Sequence, residues 1–153
     1  MNRTGSLIAR GRTLDAGVRK RRKRPEQTLQ IACAGFLRLA LREPTWWSAI
    51  DHGAGKMTKA AAGIRKAMGV KRGIADLLII HRHEKLLIPL VVWIELKSED
   101  GDQSEPQDTF QEAMETNGCM YHVARSVDEV EGFLRGVGIP LHATTYSKDE
   151  MWF

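Results

Sequence analysis

Gly69-Val-Lys-Arg-Gly-Ile-Ala-Asp76-Leu-Leu-Ile-Ile80 and Val91-Val-Trp-Ile-Glu95-Leu-Lys97 are the two stretches that decide the fold. Each contains an apolar run with the composition of a buried β-strand, and each carries charged residues where such a strand ordinarily has none. Asp76 opens the first run, and Glu95 and Lys97 lie two residues apart at the end of the second. Because residues two apart on a strand point to the same face, we expect Glu95 and Lys97 to lie together.

The charged residues of these strands suit the hydrolysis of phosphodiester bonds. Two carboxylates at the ends of neighbouring strands can bind a hard divalent cation, and an adjacent Lys can handle a proton or stabilise negative charge. Glu95 and Lys97 alone leave a second interpretation open, because a pair with this spacing also forms an ordinary salt bridge at the edge of a sheet.

Length and composition favour a single globular domain, since 153 residues, of which 42% are hydrophobic, can bury a core of their own. No apolar run reaches the roughly 18 residues of a transmembrane helix, and the N-terminus lacks the apolar core of a signal peptide. Cys33 and Cys119 lie in apolar segments without a CxxC or CxxH partner, so we expect reduced cysteines and no zinc site. We therefore expect a cytoplasmic, intracellular protein without a membrane partner.

Charge is distributed unevenly along the chain. Residues 1–24 hold nine Lys and Arg against Asp15, whereas the rest of the chain holds more acids than bases. Within that remainder, residues 52–85 carry eight Lys and Arg, and residues 95–115 carry eight acids against Lys97 alone. A basic segment beside a carboxylate-rich one suits a polyanion held against a metal site. Solvated loops that simply differ in charge are the alternative.

Hydrophobic periodicity and turn signals predict the element order α-β-α-β-β-α-β-α. Residues 1–24 are predicted to be a disordered basic arm, residues 25–138 the folded domain, and residues 139–153 a C-terminal tail. A polar turn is predicted over residues 81–85. Pro89 lies early in the apolar run of the third strand, where it predicts a bulge or an edge position. The predicted helices are 25–42, 58–68, 126–134 and one that begins at 104, and the predicted strands are 46–50, 77–80, 86–94 and 119–124.

Three motifs in this order resemble a known family of nucleases. They are Gly69-x-x-x-Gly73-x-x-Asp76, Glu95-x-Lys97 and Ser104-x-x-Gln107-x-x-Phe110, and together they are similar to the VRR-NUC branch of the PD-(D/E)XK nucleases, in its free-standing phage and bacterial form. The resemblance runs from about residue 26 to about residue 134. It implies an α/β fold with a restriction-endonuclease-like core, in which a central mixed four-stranded sheet is flanked by helices. Ala75 departs from the family pattern, which usually has Pro at that position.

The resemblance also implies a metal site. Asp76 and Glu95 would be ligands of Mg²⁺ or Mn²⁺, with the Leu96 carbonyl as a possible third ligand. Glu26 matches the family's first-helix Glu, which helps to coordinate metal or water. Its position in the first turn has a second explanation, because a carboxylate there also interacts favourably with the helix dipole.

Two further residues take catalytic roles by the same resemblance. Lys97 would position or activate the attacking water, and Gln107 would lie beside the site on the helix that follows the Glu95 strand. Ser104 and Gln107 also have the spacing of a capping box, which explains Gln107 without a catalytic role. The candidates for contacts with the DNA backbone are four cations in the basic segment, Lys56, Lys59, Lys71 and Arg72.

Together these observations predict a metal-dependent endonuclease that hydrolyses DNA and selects branched structures such as four-way junctions or flaps. A catalytically idle nucleic-acid-binding or interaction module is the alternative, and a sequence-specific restriction enzyme is a third option. A degenerate member of the family would be expected to lose an acid or the Lys, and this chain keeps all three.

We also predict a homodimer, because one metal site cuts one strand and a four-way junction is close to two-fold symmetric; a monomer that nicks flaps or ends is the alternative. If the source is a phage, the location is the host cell.

Overall fold

A computed structural model describes residues 25–53 and 57–145 of the protein, and four helices and four strands lie within these ranges. Their order confirms the predicted α-β-α-β-β-α-β-α pattern, whereas the basic arm predicted over residues 1–24 lies outside the described residues. The helices are α1 (Pro25–Ala40), α2 (Lys59–Ala67), α3 (Glu105–Thr116) and α4 (Val127–Gly136), and the strands are β1 (Trp46–Ala49), β2 (Leu77–His81), β3 (Leu90–Leu96) and β4 (Met120–Ala124).

The four strands form one mixed sheet in the order β1-β2-β3-β4. The pairs β1–β2 and β2–β3 are antiparallel, whereas β4 runs parallel to β3. A parallel neighbour needs a crossover connection, and α3 supplies it between the ends of β3 and β4. The register places Leu77 of β2 opposite Ile94 of β3, so the start of β2 and the end of β3 lie at the same end of the sheet.

Helices cover both faces of this sheet. On one face, α1 and α4 close a core that contains Leu37, Ile79, Ile94 and Leu134, all fully buried. On the other face, the ring of Phe110 on α3 lies edge-on against Trp93 of β3, at 5.0 Å between the ring centroids. Side chains alternate along a strand, so β3 sends Ile94 into the core and its neighbours Trp93 and Glu95 to the α3 side. The carboxylate of Glu95 therefore lies on the face that α3 borders.

The second helix lies outside the core. Thr58 caps α2 by accepting a hydrogen bond from the Ala61 N–H at 3.2 Å, and no α2 side chain is buried. Its cations are therefore available at the surface. In residues 25–53 and 57–145, no helix combines the length and the apolar character that crossing a membrane requires.

The structure corrects three predictions near the β2–β3 turn. The third strand starts at Leu90 rather than at residue 86, and the apolar residues 86–88 are exposed. β3 pairs on both sides, so Pro89, which has no N–H to donate, lies just before it rather than at a bulge or edge. His81 belongs to the buried end of β2 rather than to the turn, and its Nδ1 lies 2.8 Å from the Thr45 hydroxyl.

The chain after α4 packs against the core through residue 145, although residues 139–153 were predicted to be a tail. Ile139 is buried, and the His142 N–H donates to the Ala40 carbonyl at 2.8 Å. The backbone N–H and the hydroxyl of Thr145 donate to Glu131 Oε2 at 2.6 and 2.7 Å. Arg135 binds the other oxygen of the same fully buried carboxylate. This segment therefore closes the end of the core next to α1 and α4.

Candidate active site

The side chains predicted from the sequence as site residues meet at the end of the sheet where β2 begins and β3 ends. An open pocket of about 490 Å³ lies there, between the sheet, the first turn of α1 and the first turn of α3. Its lining includes all six residues that were predicted as catalytic or metal-binding, namely Glu26, Asp76, Glu95, Leu96, Lys97 and Gln107.

Asp76 is held in place from three sides. Its backbone carbonyl accepts the Ile50 N–H at 2.8 Å, which extends the β1–β2 ladder by one residue. Its Oδ2 accepts the Leu96 N–H at 2.8 Å, so the carboxylate bridges to the end of β3. Its Oδ1 lies 3.4 Å from Nε2 of His52. The carboxylate is therefore fixed beside the Leu96 peptide rather than free in solvent.

Glu95, Lys97 and Gln107 form a compact polar cluster. Nζ of Lys97 lies 3.2 Å from Glu95 Oε1 and donates to Gln107 Oε1 at 2.9 Å. Nε2 of Gln107 in turn donates to Glu95 Oε1. The second oxygen of this carboxylate, Oε2, is buried and has no hydrogen-bond partner among the described residues. A buried carboxylate oxygen without a partner is costly, and a cation would satisfy it.

The environment of Glu95 opposes its negative charge. Its side chain is only 2% exposed, and burial, followed by the negative charge of Asp76, raises the pKa of Glu95 to about 7. Lys97 acts in the opposite direction but does not outweigh these two effects, and Glu26 adds a further small increase. A divalent cation would stabilise the charge of a carboxylate that burial and a second carboxylate oppose in this way.

Gln107 makes the capping contact and also lies beside Glu95 and Lys97. The Ser104 N–H donates to Gln107 Oε1 at 2.9 Å, as in a capping box at the start of α3. The same oxygen accepts from Lys97, so the capping contact also fixes the amide against the site. Gly73 makes this possible, because a Cβ there would lie 2.6 Å from the Gln107 nitrogen and would collide with the Pro106 carbonyl. Only glycine lets the loop before Asp76 pack this closely on α3.

The residues present fit a divalent cation bound by two carboxylates. The unpartnered Glu95 Oε2 and the adjacent Asp76 supply hard oxygen ligands, and the Leu96 peptide lies at the same place. In residues 25–53 and 57–145, no three His, Cys, Asp or Glu side chains are close enough together to hold a metal by themselves. Glu26 is exposed and lines the pocket, but it does not complete such a three-residue set.

Comparison with known proteins identifies the fold. No family model and no curated protein sequence matches the chain. Among solved structures, a VRR_NUC domain protein matches with probability 1.00, a TM-score of 0.57 and 20% sequence identity, over 73% of this chain and 86% of that one. The chain has the VRR_NUC fold. This likeness confirms the predicted restriction-endonuclease-like architecture, and it agrees with the family that the sequence motifs resemble.

The predicted DNA-binding cations lie at different distances from the site in this VRR_NUC fold. Arg72 lines the site pocket, and with Lys71 it also lines a neighbouring pocket against α2. Arg65 and Lys66, which lie on α2, line that second pocket too. Lys59 lies at the start of α2 and lines neither pocket, and Lys56 lies outside the described residues. We call the four lining cations, Arg65, Lys66, Lys71 and Arg72, the basic wall.

Three pocket residues were missed in the sequence analysis. Gln27 and Gln30 lie on α1 beside Glu26, and His52 lies in the segment that follows β1. The antiparallel β1–β2 register was the signal for His52, because it places the residues after Ala49 next to Asp76. Nothing in the sequence indicated the two glutamines, since α1 reaches the site only through tertiary packing.

Proposed function

We propose that this protein is a metal-dependent nuclease that cleaves phosphodiester bonds in branched DNA. The observation that carries the proposal is the convergence of Asp76, Glu95 and Lys97 around a buried carboxylate oxygen without a partner. A salt bridge that served stability alone would not need a second carboxylate beside it. It also would not need an open pocket that leads from the surface to the pair.

Asp76 and Glu95 would hold the metal, and the Leu96 carbonyl is the proposed third ligand. The cofactor is Mg²⁺ or Mn²⁺, which prefer such oxygen ligands. A bound ion of this kind polarises a phosphate oxygen and lowers the pKa of a water molecule. The Leu96 N–H contributes by holding Asp76 Oδ2, so that this carboxylate keeps a fixed orientation toward Glu95.

Lys97 would stabilise the negative charge that develops on the phosphate. Glu95 and Gln107 hold its ammonium group at the pocket wall, and the side chain is only 10% exposed. An ammonium group has three N–H donors, and the described residues engage two of them. The third is available to orient an attacking water or to bind a phosphate oxygen. Its position is set before the substrate arrives, which makes such a charge effective.

The basic wall would bind the phosphates of the substrate next to the bond that is cut. Its four cations line the pocket that adjoins the site, so a nucleic-acid strand can contact both at once. The selection of branched DNA and the homodimeric form are inferred from the family that the motifs resemble. One site per chain supports the dimer, because two coordinated cuts across a two-fold symmetric junction need two sites.

Incubation with labelled DNA of defined structure tests the proposal. A four-way junction, a flap, a duplex and a single strand are each incubated with Mg²⁺, with Mn²⁺ and with EDTA. We expect cleavage of the branched substrates that EDTA abolishes. The matched variant is Lys97→Met, which keeps the volume of the side chain and removes its charge.

Lys97→Met should slow cleavage by at least about 10²–10³-fold, the usual effect of losing one preorganised charge. DNA binding measured in Ca²⁺ and the thermal unfolding temperature should change little. Undiminished cleavage by this variant would rule out the site. Binding of branched DNA by the unaltered protein without cleavage in either metal would favour the idle nucleic-acid-binding module.

A further inference from the structure

Two amide side chains on α1 line the candidate site and have no hydrogen-bond partner among the described residues. Gln27 and Gln30 are three residues apart, and helical geometry places residues with this spacing on the same side of α1. Both line the site pocket together with Asp76 and Glu95. Both also line an adjoining pocket of about 830 Å³, which runs between α1 and the end of β1 as far as Ser98.

These two amides differ from four other polar residues of the site, which neighbouring groups hold in place. Lys97, Gln107, Ser104 and Asp76 are each engaged by a neighbour within the protein. In residues 25–53 and 57–145, the side chains of Gln27 and Gln30 make no hydrogen bond. Gln27 is exposed and Gln30 is half-buried, so both can reach a ligand in these two pockets. We call these two pockets, together with the pocket that the basic wall lines, the groove.

The charge of the groove differs between its α2 side and its α1 side. The α2 side carries the basic wall, which favours phosphates. The described residues that line the α1 side include two carboxylates, those of Glu26 and Asp51, but no Lys or Arg. A phosphate is therefore favoured on the α2 side, and an uncharged part of the nucleotide is favoured beside α1.

We propose that Gln27 and Gln30 contact the base edge of a nucleotide next to the bond that is cut, and so bias which bonds are cleaved. A glutamine amide presents both N–H donors and a carbonyl acceptor, the combination that pairs with base edges and with adenine in particular. This inference rests on the proposed nuclease function, and it adds a sequence preference at the cut to the selection of DNA shape.

The test is a library of one branched DNA in which the nucleotides flanking the cut are randomised. Products are sequenced after partial cleavage by the full chain and by Gln27→Ala/Gln30→Ala. We expect the unaltered protein to prefer one nucleotide at a flanking position and the double variant to weaken that preference by about fivefold or more. The salt dependence of binding should stay the same, because no charge is removed. Gln27→Asn/Gln30→Asn should restore part of the preference, since it retains the amide groups.

Two control variants separate this effect from others. Gln111→Ala removes an amide that donates to Glu115 on α3 and does not line the groove, so the preference should remain. Arg65→Ala/Lys66→Ala should weaken binding of every library member alike. It should also lower the slope of log affinity against log salt by about 0.9 for each phosphate that the variant no longer neutralises. Neither control should change the nucleotide preference.

The base contact and the nuclease activity can be disproved independently. A protein that binds the library in Ca²⁺ but cuts it in neither Mg²⁺ nor Mn²⁺ would disprove the nuclease, and the preference is then measured by sequencing the fraction bound in Ca²⁺. Loss of that binding preference in Gln27→Ala/Gln30→Ala would still support the base contact. A flanking preference that survives the double variant would overturn the contact, and so would the absence of any preference in the unaltered protein.

Discussion

At the scale of single residues, the site depends on a carboxylic acid whose charge the protein opposes. Burial and the nearby Asp76 raise the pKa of Glu95 to about 7, despite the ammonium group of Lys97. In the metal-free protein, Glu95 therefore keeps its proton between about pH 4.5 and pH 7, whereas the unfolded chain has lost it. The folded state binds more protons across this range, so the stability that Glu95 contributes falls as the pH rises.

This pKa predicts the pH dependence of folding stability. In EDTA, the free energy of unfolding of the unaltered protein should fall relative to that of Glu95→Gln as the pH rises from 5 to 8, because the variant cannot ionise. Adding Mn²⁺ should raise the unfolding temperature of the unaltered protein, and more at pH 8 than at pH 6, because the ion binds the deprotonated acid. Chemical and thermal unfolding measure both effects. A parallel pH profile for the two proteins would contradict the assigned pKa.

At the scale of elements, the site depends on close packing between the loop before β2 and the start of α3. Gly73 has a φ of +76°, and a Cβ there would collide with Pro106. Gly73→Ala should therefore destabilise the protein and displace Gln107 from Lys97. Gly69 is the matched control, because its φ is +82° but a Cβ there would meet no atom within 4 Å. Gly69→Ala should cost about 1 kcal/mol for the left-handed backbone alone.

Urea unfolding distinguishes these two glycine variants. Gly73→Ala should lose clearly more stability than Gly69→Ala, since it adds a backbone collision to the same conformational strain. Cleavage should also fall in Gly73→Ala, at a temperature where the protein remains folded, because Lys97 loses one of its two anchors. Equal losses of stability in the two variants would show that the packing against α3 is not tight.

The buried acid of α4 should behave in the opposite way to Glu95. Burial alone would raise the pKa of Glu131, but hydrogen bonds from Thr145, Thr144 and Arg135 outweigh it and lower the pKa to about 2. The stabilisation is fully present above about pH 4.5 and is lost as the pH falls toward about 2. Glu131→Gln should therefore cost on the order of 3 kcal/mol at pH 7 and much less near pH 3. Glu112→Gln, at an exposed position of α3, is the control and should stay within about 0.5 kcal/mol.

The elements were predictable from sequence because each carries its own pattern. The spacing of apolar residues along α1 and the caps at Thr58 and Ser126 are local signals, and the structure contains them. The start of β3 was not predictable in this way, because the exposed residues 86–88 are as apolar as the strand that follows. Burial of His81 likewise depends on a distant partner, the Thr45 hydroxyl.

The residues of the candidate site likewise fall into two groups. A local sequence pattern marks some of them, and only tertiary structure brings the others to the site. The sequence predicts that Glu95 and Lys97 lie together, because residues two apart on a strand point to the same face. Asp76 stood out because it opens the neighbouring apolar run, and the motif order that resembles a nuclease family gave it the same role. His52 and the glutamines of α1 lie at the site only through the sheet register and the packing of α1. No local pattern marks such residues.

At the scale of the whole molecule, the proposed homodimer needs a surface for contact. Trp46 is 54% exposed, Leu87 is fully exposed, and residues 86–88 form the longest run of exposed large hydrophobic residues among the described residues. Trp46 pairs with Ile80 near the β2–β3 turn, so this apolar surface lies at the end of the sheet opposite the site. An exposed apolar patch of this kind is typical of a protein contact. The C-terminal segment 151–153, which also consists of large apolar residues, lies outside the described residues.

Light scattering at micromolar concentration tests the dimer, with and without a four-way junction. We expect twice the monomer mass and paired cuts in opposed strands. Leu87→Asp is the matched variant, because a fully exposed side chain contributes nothing to the core. If the apolar surface is the contact, the variant should have the monomer mass and make single nicks, with unchanged folding. A dimer that survives this change would place the contact elsewhere. A monomer mass for the unaltered protein under both conditions, with single nicks only, would favour the monomeric alternative instead.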